Sequence, residues 1–543
     1  MFSDPVVGDK FFGREETLKL LTKRANGLKD GYRQNIAILG PKLIGKSSVI
    51  LEFLTHFTDS NIIPIYLDLR RNSFSHFLYK FIGAVLYHYL KNKNLTAQED
   101  LLSLKNSAEK HIPKTVATIQ LIEDDFKGGR LDAAYEKLLP LTAILKQESG
   151  LSSIVILDGF HFLDTFKIKN HFSKFAQEIM TQKDTMYILA SSQISYAKKV
   201  LANELSLLFG NFEIINLAPF DYSTCCDFLE KRLEGITLAQ DYKDFLIAFS
   251  EGHPFYLDII SGKLKEKTKE GNQKEISNEL ISQAMNSVMY DSKGILNQYF
   301  TSLLTHNLNG ADYSNFLPIL LSASEKGCRL QDISELAKRK SKVITKQINS
   351  LVEKDLLAKI GVFYRIQDKI FRYWLRSVYQ RKRSSLAADP ATESDGFCKD
   401  IEEEISRFTQ QACLELTQRV MDLFKSFRNE MVTIQNKRFR FWHFKEVRLW
   451  NKAELKDCII ARYSEGYWAC IVRKDDVSES EIQEFSDCCR SSKQKVKKTI
   501  IISCKELDLN VRLMALEKKI WIWSLSDLNT VLDLYGKQPI VQK

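Results

Sequence analysis

Short apolar runs alternate with longer stretches of helical spacing over the first 220 residues, a pattern typical of an α/β protein. Residues 63–70 (IPIYLDLR) predict one strand, and residues 75 to about 150 have helical spacing. Three other runs are almost wholly apolar and are therefore predicted to be buried parallel strands: 36–39 (IAIL), 154–158 (IVILD) and 186–192 (MYILASS). The pattern predicts a parallel sheet interrupted by a long helical insert.

The periodicity changes three times after residue 220. Residues 221–305 are mostly helical in spacing, whereas 306–380 predict three helices and then a hairpin with Gly361 at its turn, the order of a winged-helix domain. Residues 381–399 lose periodicity and gain Ser, Pro, Asp and Gly, which predicts a linker. Residues 400–543 alternate helices and strands and predict a separate α/β domain.

The stretch GPKLIGKSS at 40–48 lies between the first predicted strand and a helical run, which is the context of a phosphate-binding loop. Its glycines would let the backbone amides point at phosphates, Lys46 would reach the β and γ phosphates, and the Ser47 hydroxyl would bind magnesium. The sequence therefore predicts an ATP and Mg²⁺ site. The predicted nucleotide contacts in the loop are Gly40, Pro41, Lys42, Gly45, Lys46, Ser47 and Ser48.

Asp158 ends the second buried strand, where open parallel sheets bind their ligands, and is predicted to be the second magnesium ligand. Together with Lys46 it would carry any hydrolysis. The next residue is Gly159, which has no group to activate water. Asp164 and His161 follow nearby, either as a base or in surface and packing roles. Ser191 and Ser192, which end the third strand, are either γ-phosphate sensors or capping residues.

The chain from about residue 10 to 380 resembles the archaeal-type ATPases of the STAND class, which are related to the AAA+ proteins. The resemblance implies that Gly13 and Arg14 lie near the nucleotide, that 221–305 form a helical lid, and that His253 and Pro254 close over the nucleotide. The family usually has Asp-Glu where this chain has Asp-Gly, so the resemblance implies ATP binding more strongly than hydrolysis. The motifs that carry it are FGREE (12–16), GPKLIGKSS, ILDGF (156–160), ILASS (188–192), INLAPF (215–220) and SEGHPFYL (250–257).

Residues 400–543 resemble a restriction-endonuclease-like domain. An active site of that kind needs two carboxylates and a lysine to bind magnesium and orient water. Asp457 and Lys474 match two of these positions, but Val472 stands where a glutamate is expected. We therefore expect a degenerate nuclease site and a domain that binds without cutting.

A positive face surrounds the predicted recognition helix at 341–353. Such a face contacts DNA in some winged helices, whereas others serve as lids or as protein-docking surfaces, and the sequence leaves both possibilities open. The basic residues are Lys338, Arg339, Lys340, Lys342 and Lys346.

Composition adds few constraints. The 543 residues suggest three or four domains, and a net charge of +10 permits nucleic-acid contact without requiring it. The N-terminal MFSDPVVGDK is unlike a signal peptide, and no run of about 18 apolar residues occurs, so we expect a cytoplasmic protein without membrane contact. Ten cysteines without a CxxC motif predict reduced thiols and no zinc knuckle. The oligomeric state stays open.

Three hypotheses follow from the sequence. The first is a regulatory switch that binds ATP, hydrolyses it slowly or weakly, and couples its nucleotide state to DNA or to a protein partner. The second is a non-enzymatic scaffold in which the nucleotide is structural. The third is an active DNA-processing or defence nuclease, which would require Asp457 and Lys474 to be part of a working metal site.

Overall fold

The computed structural model describes residues 4–70, 73–206, 212–308, 311–338, 340–384, 390–435, 437–450 and 457–541. The chain divides into two compact units, Met1–Pro219 and Phe220–Lys543. Within the described ranges, no helix combines the length and the apolar character needed to cross a bilayer.

The first unit is built on a five-stranded sheet in the order β2-β3-β4-β1-β5. Every neighbouring pair of strands is parallel, so all the carboxyl ends lie at one edge. This is the predicted α/β architecture of a P-loop NTPase. The strands are β1 (Ile36–Leu39), β2 (Ile62–Asp68), β3 (Ser152–Asp158), β4 (Thr185–Ser191) and β5 (Glu213–Asn216).

Helices cover both faces of this sheet and bury two separate apolar cores. The long insert between β2 and β3 is helical, as its spacing predicts, and packs on one face with Phe74, Phe77 and Tyr135 in its core. The helices are α1 (Glu15–Lys29), α2 (Lys46–His56), α3 (Phe74–Asn92), α4 (Leu101–Glu109), α5 (Pro113–Lys127), α6 (Leu131–Leu138), α7 (Leu141–Ser149), α8 (His171–Thr181) and α9 (Ile194–Asn203). Two 3-10 helices, Gly8–Lys10 and Phe160–Phe166, complete the unit.

The second unit begins with helices and then forms a small three-stranded antiparallel sheet in the order β6-β8-β7. Two of its helices continue into π-helical turns, Asn286–Tyr290 and Leu375–Tyr379. The helices are α10 (Tyr222–Arg232), α11 (Gln240–Ser250), α12 (Pro254–Glu270), α13 (Asn278–Met285), α14 (Ile295–Asn307), α15 (Ala311–Ser322), α16 (Leu330–Leu336), α17 (Ser341–Glu353), α18 (Lys369–Trp374) and α19 (Gln380–Ser384). The strands are β6 (Cys328–Arg329), β7 (Leu357–Ile360) and β8 (Phe363–Ile366).

The segment 381–399, predicted as a linker, is helical in most of its described part. Helix α20 (Pro390–Ala412) begins well before residue 400. Phe397 is fully buried and starts an apolar series that continues with Ile401 and Ile405. Its ring lies 5.3 Å from that of Tyr290. The Pro, Asp and Gly that suggested a linker therefore lie in the first turns of a helix, where proline is tolerated.

The remaining chain forms a five-stranded mixed sheet in the order β11-β12-β13-β14-β15, with helices packed against it. Strands β11, β12 and β13 are antiparallel, whereas β13, β14 and β15 are parallel. The strands are β9 (Glu430–Ile434), β10 (Lys437–Phe441), β11 (Glu446–Leu449), β12 (Cys458–Tyr463), β13 (Gly466–Arg473), β14 (Val496–Ser503) and β15 (Trp521–Ser524). The helices are α21 (Leu416–Phe424), α22 (Glu479–Ser491), α23 (Leu509–Glu517) and α24 (Leu525–Leu534).

The β7–β8 hairpin packs against this last part of the chain. Gly361, at the hairpin turn, has a φ of +68°, and a Cβ there would lie 2.0 Å from the Met431 carbonyl oxygen. The Val362 amide donates to the same carbonyl at 2.8 Å. Phe363 lies in one apolar cluster with Phe427 and other residues of the C-terminal sheet region. The hairpin and the C-terminal sheet therefore share a core.

A largely buried ion cluster joins the same two regions. Asp533 on α24 forms ion pairs with Arg365 of β8 and Arg372 of α18. Burial alone would raise the pKa of Asp533, but the hydrogen bonds and charges of the two arginines outweigh it and lower the pKa to about 2. The carboxylate is therefore ionised whenever the unit is folded at ordinary pH.

We expect Asp533→Asn to lower the free energy of unfolding by about 3–5 kcal/mol, because it leaves the buried Arg372 and the half-buried Arg365 guanidinium groups without their carboxylate. Since the folded pKa is depressed, the contribution of Asp533 is complete above its ordinary pKa of about 4 and disappears as the pH falls towards 2. Urea denaturation at pH 7 and pH 3 measures both effects. Asp476→Asn is the control, because Asp476 forms an exposed ion pair with Lys505 at 3.0 Å and should matter far less. Equal losses for the two variants would contradict the expectation.

Candidate nucleotide site

The loop between β1 and α2 passes through a narrow space at the carboxyl edge of the sheet. A Cβ on Gly40 would lie 2.7 Å from the Leu217 carbonyl oxygen, and the Gly40 amide donates to the Ser191 carbonyl at 3.3 Å. Gly45 has a φ of +103° immediately before the first residue of α2. Both glycines are therefore required by the path of the backbone, which delivers the loop to the N-terminus of α2.

Lys46 is the first residue of α2, and its side chain is buried. Its ammonium group donates to the carbonyl oxygens of Gly40 at 2.9 Å and Pro41 at 2.6 Å, so it curls back over the loop. Burial lowers the pKa of Lys46 to about 8, although the charge of Asp158 opposes this effect. The positive charge of this site therefore begins to disappear just above neutral pH.

Ser47 and Asp158 come together across the edge of the sheet. The Ser47 hydroxyl donates to Oδ2 of Asp158 at 2.5 Å, and the Tyr66 hydroxyl donates to the same oxygen at 3.1 Å. Asp158 is almost fully buried. A hydroxyl and a carboxylate are hard oxygen ligands of the kind Mg²⁺ prefers, and it takes few of them from protein when phosphates supply the rest. The two residues fit the predicted magnesium site.

Three further polar residues lie at this edge that the sequence motifs did not predict. In β2, Tyr66 and Asp68 alternate with buried Ile65 and Leu67, and Asp68 is the register partner of Asp158. Arg70 pairs with Asp68 at 2.6 Å, and this hydrogen-bonded pair raises the pKa of Arg70. The alternation of polar and apolar residues in IPIYLDLR was the available signal, because it places Tyr66, Asp68 and Arg70 on one side of the strand.

The N-terminal segment lies against the phosphate-binding loop. Gly13 and Arg14 both have positive φ, and Nη2 of Arg14 donates to the Ile44 carbonyl at 3.4 Å. The Val6 amide donates to the Ser48 hydroxyl at 2.9 Å. Arg14 is thus beside the loop, and its position near the nucleotide stays a prediction. The Ser48 hydroxyl accepts a backbone hydrogen bond and anchors this segment.

Gly159 follows Asp158 in a left-handed conformation, with a φ of +81°, and caps the 3-10 helix that follows. A Cβ at this position would lie 3.1 Å from Cδ2 of Phe162. The backbone conformation at position 159 therefore disfavours a glutamate, because any side chain there would be strained and would start close to Phe162.

The two residues considered as a base have different surroundings. His161 is buried, and its Nδ1 lies 3.0 Å from the Ser191 hydroxyl oxygen. Burial, followed by the charges of Lys42 and Lys46, lowers the pKa of His161 to about 4, so its imidazole is neutral at pH 7. Asp164 instead hydrogen-bonds with Tyr196 and lies 3.0 Å from Nε2 of His171. His161 is thus the residue that lies with Ser191 beside the loop lysines.

His253 and Pro254 belong to the second unit. His253 precedes the first residue of α12, Pro254 is that first residue, and the His253 ring lies 4.5 Å from the ring of Tyr256. Their predicted closure over the nucleotide stays a prediction. Both residues have the local roles expected of a helix start, where proline is well tolerated.

The predicted nuclease residues lie at one end of the C-terminal sheet. Asp457 precedes β12, and its carbonyl accepts from the Val472 amide at 3.3 Å, while Lys474 follows the last residue of β13. Arg473 pairs with Glu481 at 2.7 Å. Across the described ranges, no group of three or more His, Cys, Asp or Glu side chains is placed to hold a metal. The predicted loss of nuclease activity stays a prediction.

Neither a protein-family model nor a curated protein matches this sequence. Solved structures similar to it include a Walker-type ATPase of Pyrococcus abyssi, with 15% identity over 69% of this chain and 99% of that one and a TM-score of 0.49. The ORC2 protein of Aeropyrum pernix, in complexes with ADPNP and ADP, is 12% identical over 71% and 98%, with a TM-score of 0.43. The RuvB Holliday junction branch migration motor of Thermotoga maritima is 12% identical over 69% and 99%, with a TM-score of 0.34.

We expect Gly159→Ala to lower the free energy of unfolding by about 1–2 kcal/mol, because a left-handed backbone and a close Phe162 both oppose a side chain. Gly159→Glu should be destabilised similarly and should not hydrolyse ATP faster, because its side chain would start against Phe162 from a strained left-handed backbone. Urea denaturation and single-turnover phosphate release measure the two effects. The control is Gly150→Ala, which has a φ of +74° but open space around its Cβ, and so carries only the backbone cost. Faster hydrolysis by Gly159→Glu would contradict this account.

We expect ATP affinity to fall as the pH rises through about 8, because Lys46 then loses its proton. The fall should be absent in Lys46→Arg, since a guanidinium stays charged in this range. Isothermal titration with Mg·ATP between pH 7 and pH 9.5 measures the effect. An identical pH dependence in wild type and Lys46→Arg would assign it to another group.

Proposed function

We propose that the chain is an ATP-binding regulatory switch that hydrolyses ATP slowly and couples its nucleotide state to DNA binding. The observation that carries the proposal is the convergence of buried Lys46, Ser47 and Asp158 at the carboxyl edge of a parallel sheet. Lys46 would hold the β and γ phosphates, and Ser47 and Asp158 would hold magnesium. When bound, magnesium would neutralise negative charge on the phosphates.

Slow hydrolysis is proposed because Gly159 offers no base and Asp164 is held by Tyr196 and His171. His161 is neutral, buried and next to Ser191, so it is the residue we propose to orient a water molecule. A switch needs only that the ATP and ADP forms differ in affinity for the partner, and a long-lived ATP form suits that use.

The proposed DNA-binding part is a winged helix formed by helices α15, α16 and α17 and the strands β6, β7 and β8. Four lysines around α17 are exposed and would meet phosphates, whereas Arg339 lies outside the described residues. The tip of the β7–β8 hairpin packs on Met431, so the helix and not the wing would contact DNA. The exposed lysines are Lys338, Lys340, Lys342 and Lys346.

Strand β10, which pairs with β9 in a separate two-stranded sheet, supports the same proposal because it is basic and aromatic. Arg438 and Arg440 on β10 are exposed, and the Arg440 guanidinium lies 4.3 Å from the Trp442 ring centroid. On the other face of β10, Phe439 stacks on Trp521 with ring centroids 3.5 Å apart. Guanidinium groups held on aromatic rings suit contact with nucleic-acid phosphates and bases. We propose that this nuclease-like domain binds DNA without cutting it.

We expect short duplex DNA to bind with different affinity to the Mg·ATP and Mg·ADP forms, and this difference should disappear in Lys46→Ala. Lys342→Gln with Lys346→Gln should weaken binding and reduce the slope of log affinity against log salt by about 2. Fluorescence anisotropy at several salt concentrations measures both effects. Lys269→Gln with Lys274→Gln removes the same charge from exposed positions elsewhere in the second unit and serves as the control. Equal DNA affinity in all nucleotide states and in Lys46→Ala would exclude the switch.

A further inference from the structure

Three arginines of the second unit converge on a groove of about 350 Å³ beside helix α20. One wall is the π-helical turn Leu375–Tyr379 with α19, which supply Arg376, Ser377 and Arg381. The other wall is α20, which supplies Asp400 and Arg407. Three guanidinium groups therefore face one carboxylate.

The partners of these arginines differ. Arg381 forms an ion pair with Asp400, and Arg407 pairs with Glu404 at 2.9 Å. Within the described part of the chain, no carboxylate lies in ion-pair range of Arg376. Its guanidinium carbon lies 5.3 Å from the centroid of the Tyr373 ring, which holds it over an aromatic face. Arg376 thus contributes a positive charge to the groove that the rest of the unit does not neutralise.

The remaining groups of the groove add hydrogen-bond donors. Ser377 is buried at the wall, and Gln380 and Ser384 also line the groove. The Tyr373 hydroxyl on α18 is itself buried, and burial raises its pKa. Donors and positive charges therefore outnumber acceptors, which is the chemistry of a site for a multiply charged anion.

The π-helical turn itself supports a binding role. A π turn inserts an extra residue into the helical repeat at the cost of weaker packing, and such turns are frequent at functional sites. Here the turn spans Leu375–Tyr379 and supplies Arg376 and Ser377 to the groove. The irregularity therefore coincides with the residues that face the open space.

We propose that this groove binds a small, multiply charged phosphate compound of the pyrophosphate type, separately from the Lys46 site. Guanidinium groups match phosphate oxygens in a bidentate geometry, and a volume of about 350 Å³ lies at the small end of ligand sites. Asp400 and Glu404 offset two of the three guanidinium charges, so the charge of Arg376 stays uncompensated and would meet the phosphate oxygens of the bound compound. The site goes beyond the proposed switch, because it does not involve the phosphate-binding loop.

Titration of the full chain with inorganic pyrophosphate tests the proposal. Because the phosphate-binding loop also accepts pyrophosphate, the measurement uses Lys46→Ala, in which one pyrophosphate site should remain. Adding Arg376→Gln should weaken that site at least about tenfold, as expected for loss of a charge-assisted contact. Adding Arg383→Gln is the control, because Arg383 is exposed on the same helix but does not line the groove. It should change the affinity less than about twofold.

Arg376→Lys separates a loss of pyrophosphate contact from a loss of folding. It keeps the charge but not the planar fork, and should bind pyrophosphate with intermediate affinity and an unchanged melting temperature. Absence of pyrophosphate binding in Lys46→Ala would overturn the proposal. Equal losses of pyrophosphate affinity in Arg376→Gln and Arg383→Gln would overturn it too, because they would show that only the general positive charge of this region attracts pyrophosphate. If Arg376→Gln weakened single-stranded oligonucleotide binding while pyrophosphate bound nowhere outside the Lys46 site, the groove would hold a nucleic-acid backbone instead of the small compound.

Discussion

The parallel alignment of β1 and β3 is the constraint on which the first unit depends. Because parallel strands end at one edge, the loop after β1 and the carboxylate that ends β3 meet without any long-range adjustment. The 2.5 Å contact between Ser47 and Asp158 is the direct result. Burial lowers the pKa of Lys46, and the charge of the nearby Asp158 carboxylate limits this decrease. Tyr66 and Asp68 of β2, the strand next to β3, complete the polar edge.

The second unit depends on a different interaction, the buried Asp533 with its two arginines. This cluster connects the small sheet to the last helix, and the contact of Gly361 with Met431 connects the same regions at the hairpin tip. A desolvated carboxylate between two guanidinium groups tolerates little displacement, because separating them leaves buried charges unpaired. The hairpin is therefore part of a shared core, which is why its strands are not a free wing.

Sequence patterns predicted the parts of this chain in which local and tertiary preferences agree. The strands at 36–39 and 152–158 are buried throughout and have apolar centres, and the glycines of the phosphate-binding loop lie where the backbone requires them. Residues 390–399 were predicted wrongly, because their polar composition masked one buried side chain, Phe397. The π-helical turn at 375–379 and the ion cluster at Asp533 are set by packing between distant segments, which periodicity does not record.

Gly159 shows how a single backbone conformation limits chemistry. Its φ of +81° turns the chain directly into a 3-10 helix, so the position after Asp158 faces Phe162. The same helix carries His161 to Ser191, whose carbonyl in turn accepts from the Gly40 amide of the loop. His161, which we propose orients water in place of the missing glutamate, is therefore connected to the phosphate-binding loop through Ser191 of β4. In the switch that we propose, the neutral imidazole of His161 would orient water through a hydrogen bond without adding negative charge next to the phosphates, which suits slow hydrolysis.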